Sequence, residues 1–177
     1  VSAAGLGARL SERLAAQGLT HLVSVANGEG FGLYQAFQAD SRCRVIDACR
    51  EGEAVALCCG LVLGGQLPVL SIENFGLFEC LDTLRALPLD IGIPMLLVIG
   101  YTGRGGKTPE GEAALVERLG HIGPQAALAG RWTEPVLQLA GIPFWYLDPA
   151  DSGAVCDEAL ALCRSSSRPV ALLVDLT

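Results

Sequence analysis

The sequence predicts an α/β protein built on a doubly wound, mostly parallel sheet flanked by helices. Two observations carry that expectation. Runs rich in Val, Ile and Leu are nearly continuous, as in "PMLLVIG" (94–100) and "PVALLVDL" (169–176), which is the pattern of strands covered on both faces. These runs alternate with segments of helical spacing, the rhythm of a parallel sheet joined by crossover helices.

The elements follow in chain order. "LGARLSERLAAQ" (6–17) repeats its apolar residues at helical spacing, and "THLVSV" (20–25) is the first strand. "FGLYQAFQ" (31–38) is a short helix, "CRVIDA" (43–48) the second strand, and 51–65 a long helix, apolar almost all round and therefore expected to lie deep. "PVLSI" (68–72) is the third strand, followed by a helix over 77–87, the strand 94–100, and helices over 110–120 and 133–140. "PFWYL" (143–147), a helix over 151–164 and the strand 169–176 complete the pattern. Ligands of such sheets bind outside the carboxyl ends of the strands. Those ends are "ANGEGFG" (26–32), "CREGE" (49–53), "ENFGLFE" (73–79) and "GYTGRGG" (100–106). The loop from 100 to about 109 is glycine-rich and polar, and is expected to be a mobile lid or an interface loop.

At 177 residues the chain fits one domain. Hydrophobic residues make up 51 % and the net charge is −7, so the chain has no basic footprint for nucleic acid, and much apolar surface must be packed or covered. The longest apolar stretch, Ala54 to Gly65, is too short to span a bilayer. Seven cysteines without a CxxC pair, and only His21 and His121 beside them, argue for buried thiols in a reducing compartment and against a metal site. A cytoplasmic protein without a signal peptide is the expectation.

Familiar phosphate loops are missing. "GEGFG" falls short of GxGxxG and carries Glu29 where a pyrophosphate would sit, and "GYTGRGGK" has the wrong spacing for a P-loop. No GxSxG elbow occurs. A pair of acids draws the eye instead: Glu51 and Glu53 open the helix 51–65. Acids in a first turn complement the helix dipole and its free N–H groups, which accounts for one of them. Glu51 also stands at the carboxyl end of a strand against an apolar helix, where a partly desolvated carboxylate can share a proton with a ring nitrogen.

The stretch 51–106, "EGEAVALCCGLVLGGQLPVLSIENFGLFECLDTLRALPLDIGIPMLLVIGYTGRGG", resembles the pyrimidine-binding (PYR) domain of thiamine-diphosphate enzymes. It is most similar to sulfopyruvate decarboxylase α subunits and the N-terminal half of phosphonopyruvate decarboxylases. The matching pieces are Glu51-Gly52-Glu53-Ala54, Pro68 to Asn74 with Gly76 and Leu77, Ile93 to Gly103, "GRWTEPVLQLAGIPF" (130–144) and "RPVALLVDL". The likeness covers most of the chain and keeps the order of its parts.

The resemblance implies a PYR-type fold over 1–177 and a role for Glu51 as the glutamate that hydrogen-bonds the aminopyrimidine ring and promotes loss of the thiazolium C2 proton. Glu53 is left as the helix-start acid. Asn74, Phe75 and Gly76 match a family Gln-Asn-Ser-Gly turn near the cofactor or a subunit contact, with Glu73 and Phe75 departing from it. On the substrate side stand Asn27 and Glu29, with Arg104 and Lys107 as anion contacts or plain solvated cations. Where the family often has a histidine after Pro-Gln, this chain has Ala126, and His121 is the candidate to compensate. These departures weaken the case for an anionic sulfo- or phosphono-substrate. The diphosphate and Mg²⁺ are held in the family by a GDG segment in a second (PP) domain. No GDG occurs here, so that domain is expected on a separate β subunit, with activity at the interface of an α2β2 or larger assembly. The implied activity is decarboxylation of a small 2-oxo acid. The alternatives are a carboligase PYR subunit, a non-catalytic paralogue and, least supported, an unrelated nucleotide binder.

Overall fold

The computed structural model describes residues 3–28, 30–147 and 152–174. Among them, six strands form one parallel sheet in the order β2-β1-β3-β4-β6-β5. The chain runs α1 (Ala3–Ala16), β1 (His21–Ser24), α2 (Phe31–Ala39), β2 (Arg44–Asp47), α3 (Glu51–Leu63), β3 (Val69–Glu73), α4 (Asn74–Glu79) and α5 (Leu81–Leu84). It continues through β4 (Met95–Gly100), α6 (Pro109–Leu119), α7 (Gly123–Leu139), β5 (Phe144–Tyr146), α8 (Ser152–Ser166) and β6 (Pro169–Val174).

The continuous apolar runs are explained by two cores. Met95, Leu97 and Ile99 of β4, with Leu70, Ile72, Ala171 and Leu173 of its neighbours, pack into one cluster with α3, α4, α5 and α7. Leu96 and Val98, with Val69, Val170 and Leu172, pack into the other with α1, α2 and α8. Successive strand residues point to opposite faces, so a strand greased on both must be apolar throughout. Burying each such Leu or Ile contributes roughly 1.5–3 kcal/mol, which makes the central strands the most resistant part of the sheet.

Three segments differ from expectation. The helix expected over 77–87 starts at Asn74, breaks at Cys80, and passes from α5 into a π-helical turn, Arg85–Leu89, around Pro88. Pro88 removes a backbone donor, and a wider turn accommodates it. The helix expected over 133–140 begins ten residues earlier, at Gly123, and carries Pro135 within it. The expectation that α3 lies deep holds on one face only: Ala54, Val55, Cys58 and Cys59 are buried, while Leu57 and Leu63 are exposed. The strand expected over 169–176 is described to Val174; residues 175–176 and the first residue of the helix expected over 151–164 lie outside the described residues.

Strand order locates the working end. From β1 the chain moves outward to β2, then returns to place β3 on the other side of β1. Their exits diverge there, opening a crevice at the carboxyl ends of β1 and β3. The loop after β1, the start of α3 and the start of α4 gather around it.

Candidate active site

Three acids meet where helix α3 opens at the carboxyl end of β2: its own Glu51 and Glu53, and Glu79 of α4. Glu53 reaches back, its Oε2 accepting from the backbone N–H of Cys49 at 3.0 Å, the return half of a capping box. Glu79, from the last turn of α4, accepts from the Gly52 N–H at 2.9 Å and from Arg50 at 2.6 Å. The Arg50 guanidinium and then the Gly52 N–H hold the Glu79 carboxyl below its ordinary range. Both helix-start needs are thus met without Glu51.

Glu51 is half-buried, and among the described residues no donor bonds its carboxylate. Its side chain lies over the first turn of α4. A Cβ placed on Gly76 would stand 2.4 Å from both Cγ and Oε1 of Glu51. Gly76 is therefore the residue that lets the carboxylate approach the α4 backbone, and the two motifs that surround them in the sequence, "EGEA" and "ENFG", are one place in the fold.

Asn74 begins α4 and is fully buried. Its Nδ2 donates to the Thr102 carbonyl and to Thr133 Oγ1, each at 2.9 Å, and the Thr133 hydroxyl donates in turn to the Ala129 carbonyl. Its Oδ1 is buried without a partner among the described residues, an arrangement that leaves a buried acceptor uncompensated at a cost of about 1–3 kcal/mol. Glu73, one residue earlier, bridges the crevice: Oε1 accepts from the Gly28 N–H at 3.2 Å and Oε2 from Thr102 Oγ1 at 3.0 Å. Asn27 shapes the β1 loop, its Oδ1 accepting from the Gly30 N–H at 2.5 Å while Nδ2 donates to the Val25 carbonyl. Glu29 lies outside the described residues.

The loop 100–109 is fastened rather than open. Gly103, at φ +81°, packs on the Ala126 carbonyl, and Gly130 of α7 meets the Gly103 carbonyl so closely that a Cβ there would stand 1.9 Å from it. Ala126 is buried beneath this contact, which leaves the loop backbone occupying the space a larger side chain would need. A 3-10 turn, Arg104–Lys107, follows. Lys107 donates to Glu134 Oε1, and the hydroxyls of Tyr101 and Tyr146 meet the same oxygen at 2.7 and 2.5 Å. The Arg104 guanidinium sits 4.3 Å from the centre of the Tyr146 ring, a cation–π contact. Burial works to raise the Glu134 pKa, but the bonds from Lys107, Tyr146 and Tyr101 outweigh it and the carboxyl titrates below its ordinary range. Burial, then the bond to Glu134, pushes the Tyr146 phenol up to about 12. This cluster had no sequence signal, because its members lie on the loop after β4, on α7 and on β5. His121 is exposed on the 3-10 turn Gly120–Ile122, packed against α6 and α7.

An apolar groove of about 430 Å³ runs beside Gly76, between α4 and α7, lined by Phe75, Phe78, Leu128 and Trp132. Phe75 is 44 %, Leu128 53 % and Trp132 58 % exposed. Among the described residues no group of three His, Cys, Asp or Glu is placed to hold a metal ion, and no helix is long and apolar enough to cross a membrane. All seven cysteines are free, and five are buried. Burial pushes the Cys80 thiol up to about 12, leaving it inert as a nucleophile. A half-buried carboxylate with no donor of its own is the kind of acceptor that the N–H groups of an aminopyrimidine would need.

No family model matches the chain. It is similar to sulfopyruvate decarboxylase subunit alpha of Methanocaldococcus jannaschii, 28 % identical over 144 residues, 81 % of this chain and 77 % of the relative. The same subunit of Methanococcus maripaludis is 28 % identical over 131 residues, 73 % of this chain and 70 % of the relative. Phosphonopyruvate decarboxylase of Streptomyces viridochromogenes is 31 % identical over 128 residues, 72 % of this chain but 28 % of that longer protein. The chain is thus similar to these decarboxylases over most of its own length, and its parallel α/β sheet is the architecture that the PYR resemblance implies.

Proposed function

We propose that this chain is the PYR-type α subunit of a heteromeric thiamine-diphosphate-dependent 2-oxo acid decarboxylase. The observation that carries the reading is the Glu51 carboxylate, half-buried at the carboxyl end of the sheet and bonded by no donor among the described residues. Two neighbouring acids meet the needs of the α3 start, so helix capping does not account for it. Support comes from the three relatives, all named decarboxylases and two of them named as a subunit alpha.

Thiamine diphosphate, when bound, would supply the electron sink for loss of CO₂ from a 2-oxo acid. The chain's own part is proton control and position. Glu51 would accept a hydrogen bond from the aminopyrimidine ring and exchange a proton there. Asn74, held by Thr102 and Thr133, would fix the start of α4 beneath the site, and Gly76 and Phe75 would form the wall that keeps water out. Mg²⁺ and the diphosphate would be held by a PP domain on a β subunit, seated on the groove beside Phe75 and Trp132. A cytoplasmic setting fits the seven free thiols.

The test is to co-purify the chain with a partner carrying a GDG segment, add thiamine diphosphate and Mg²⁺, and measure CO₂ release from a panel of 2-oxo acids. Release that requires both chains is the expected result. Formation of a new carbon–carbon bond would move the reading to a carboligase, and a complete lack of turnover with a saturated cofactor site would overturn it.

A further inference from the structure

A second cavity, of about 650 Å³, opens at the carboxyl ends of β1 and β2, beside the crevice and three residues before Glu51. Its walls are mostly apolar: Ala26, Ala48 and the rings of Phe31 and Tyr34. The two rings lie parallel, 8° apart with centroids 6.5 Å apart, and Phe31 is 56 % exposed toward the opening. The polar groups are acidic or already engaged. Asp47 stands at the rim, and the Tyr34 hydroxyl, fixed by Gln38, donates to its Oδ2 at 3.2 Å. Asn27 is committed to the β1 loop. Among the described residues that line the cavity there is no Lys, Arg or His.

Arg50 pairs with Glu79, Lys107 with Glu134, and Arg131 with Glu112. Arg104 lies over Tyr146, at the far side of the sheet, where β5 is the edge strand opposite β2. An anionic group entering the cavity would face Asp47 and, across the β1 loop, Glu73, with no Lys, Arg or His among the described lining residues.

We propose that this cavity is the chain's share of the substrate site and takes a 2-oxo acid whose far end is an uncharged aromatic or branched alkyl group, held against the Phe31–Tyr34 pair, with Asp47 turning anions away. This rests on the decarboxylase reading above and departs from the sulfo- and phosphono-substrates in the relatives' names. Selection by Asp47 is of the repulsive kind that specificity commonly needs. A cavity of this size, mostly apolar with a few polar groups, suits a small ligand.

The inference is tested without turnover by titrating the purified chain with 3-phenylpropanoate, 3-sulfopropanoate and 3-phosphonopropanoate, and following amide and aromatic NMR shifts at Phe31 and Tyr34. The expected result is tighter binding of the phenyl probe by about tenfold or more, lost in Phe31→Ser, with the gap narrowed severalfold in Asp47→Asn. Both side chains are exposed, so both variants should keep the wild-type circular dichroism. Equal or tighter binding of the sulfo or phosphono probe, or no phenyl-probe shifts at these rings, overturns the inference. In the assembled complex, kcat/KM for phenylpyruvate should exceed that for sulfopyruvate. The reverse order would overturn this inference and leave the decarboxylase reading standing. Selective phenyl binding by a complex that decarboxylates no 2-oxo acid would do the opposite.

Discussion

Glu51 and Glu53 are two residues apart on one helix start and have different surroundings. Glu53 caps, so Glu53→Ala should lower stability by about 1 kcal/mol and leave cofactor affinity unchanged, measured by urea unfolding and by titration of the assembled complex. Glu134 is the residue whose protonation the structure makes consequential. Its folded pKa lies below the ordinary 4.5, so the stability it contributes is present above that value and is lost as pH falls through the lower, folded one. Comparing urea midpoints from pH 6 to pH 3, the wild type should fall more steeply than Glu134→Gln below about 4.5. Parallel curves would show that the Lys107 and Tyr146 bonds add nothing.

At the scale of elements, the account turns on how α3 meets α4 and how α7 meets the loop after β4. A methyl group on Gly76 would strike Glu51 at 2.4 Å, an overpacking that costs about 1–3 kcal/mol. The cost of Gly76→Ala should therefore largely vanish in a Glu51→Ala background, a coupling that a double-mutant cycle reads directly. An undiminished cost in that background would mean the strain comes from elsewhere. The same two contacts show what the sequence revealed. The strands and most helices were legible because their apolar periodicity is a consequence of burial on two faces. The first ten residues of α7 were not, because "GPQAALAGRW" reads as loop by composition. Gly123, Ala126, Ala127 and Gly130 lie on its buried face, the last three small because the loop at Gly103 and Gly106 presses on them, and Gly123 because it packs on Leu115 and Val116 of α6. Likewise the 77–87 pattern hides its break, since the π turn around Pro88 depends on what it packs against.

For the whole molecule, the sheet order decides where chemistry can occur. The divergence of β1 and β3 makes the crevice, and the acids at 51 and 73, legible in sequence as candidates, arrive there because each ends a strand or starts the helix after it. The Tyr101–Glu134–Tyr146 cluster was invisible beforehand, since only folding joins the loop after β4 to α7 and β5. The exposed Phe75, Leu128 and Trp132 beside Gly76 form a face whose covering by a β subunit would complete a water-excluded site. In that assembly the proton-handling role of Glu51 is open to one direct measurement, the rate of hydrogen–deuterium exchange at C2 of bound thiamine diphosphate in wild type and Glu51→Gln. The account predicts that exchange slows by about 100-fold or more while assembly and cofactor binding persist; exchange at near wild-type rate in the fully loaded variant would contradict it.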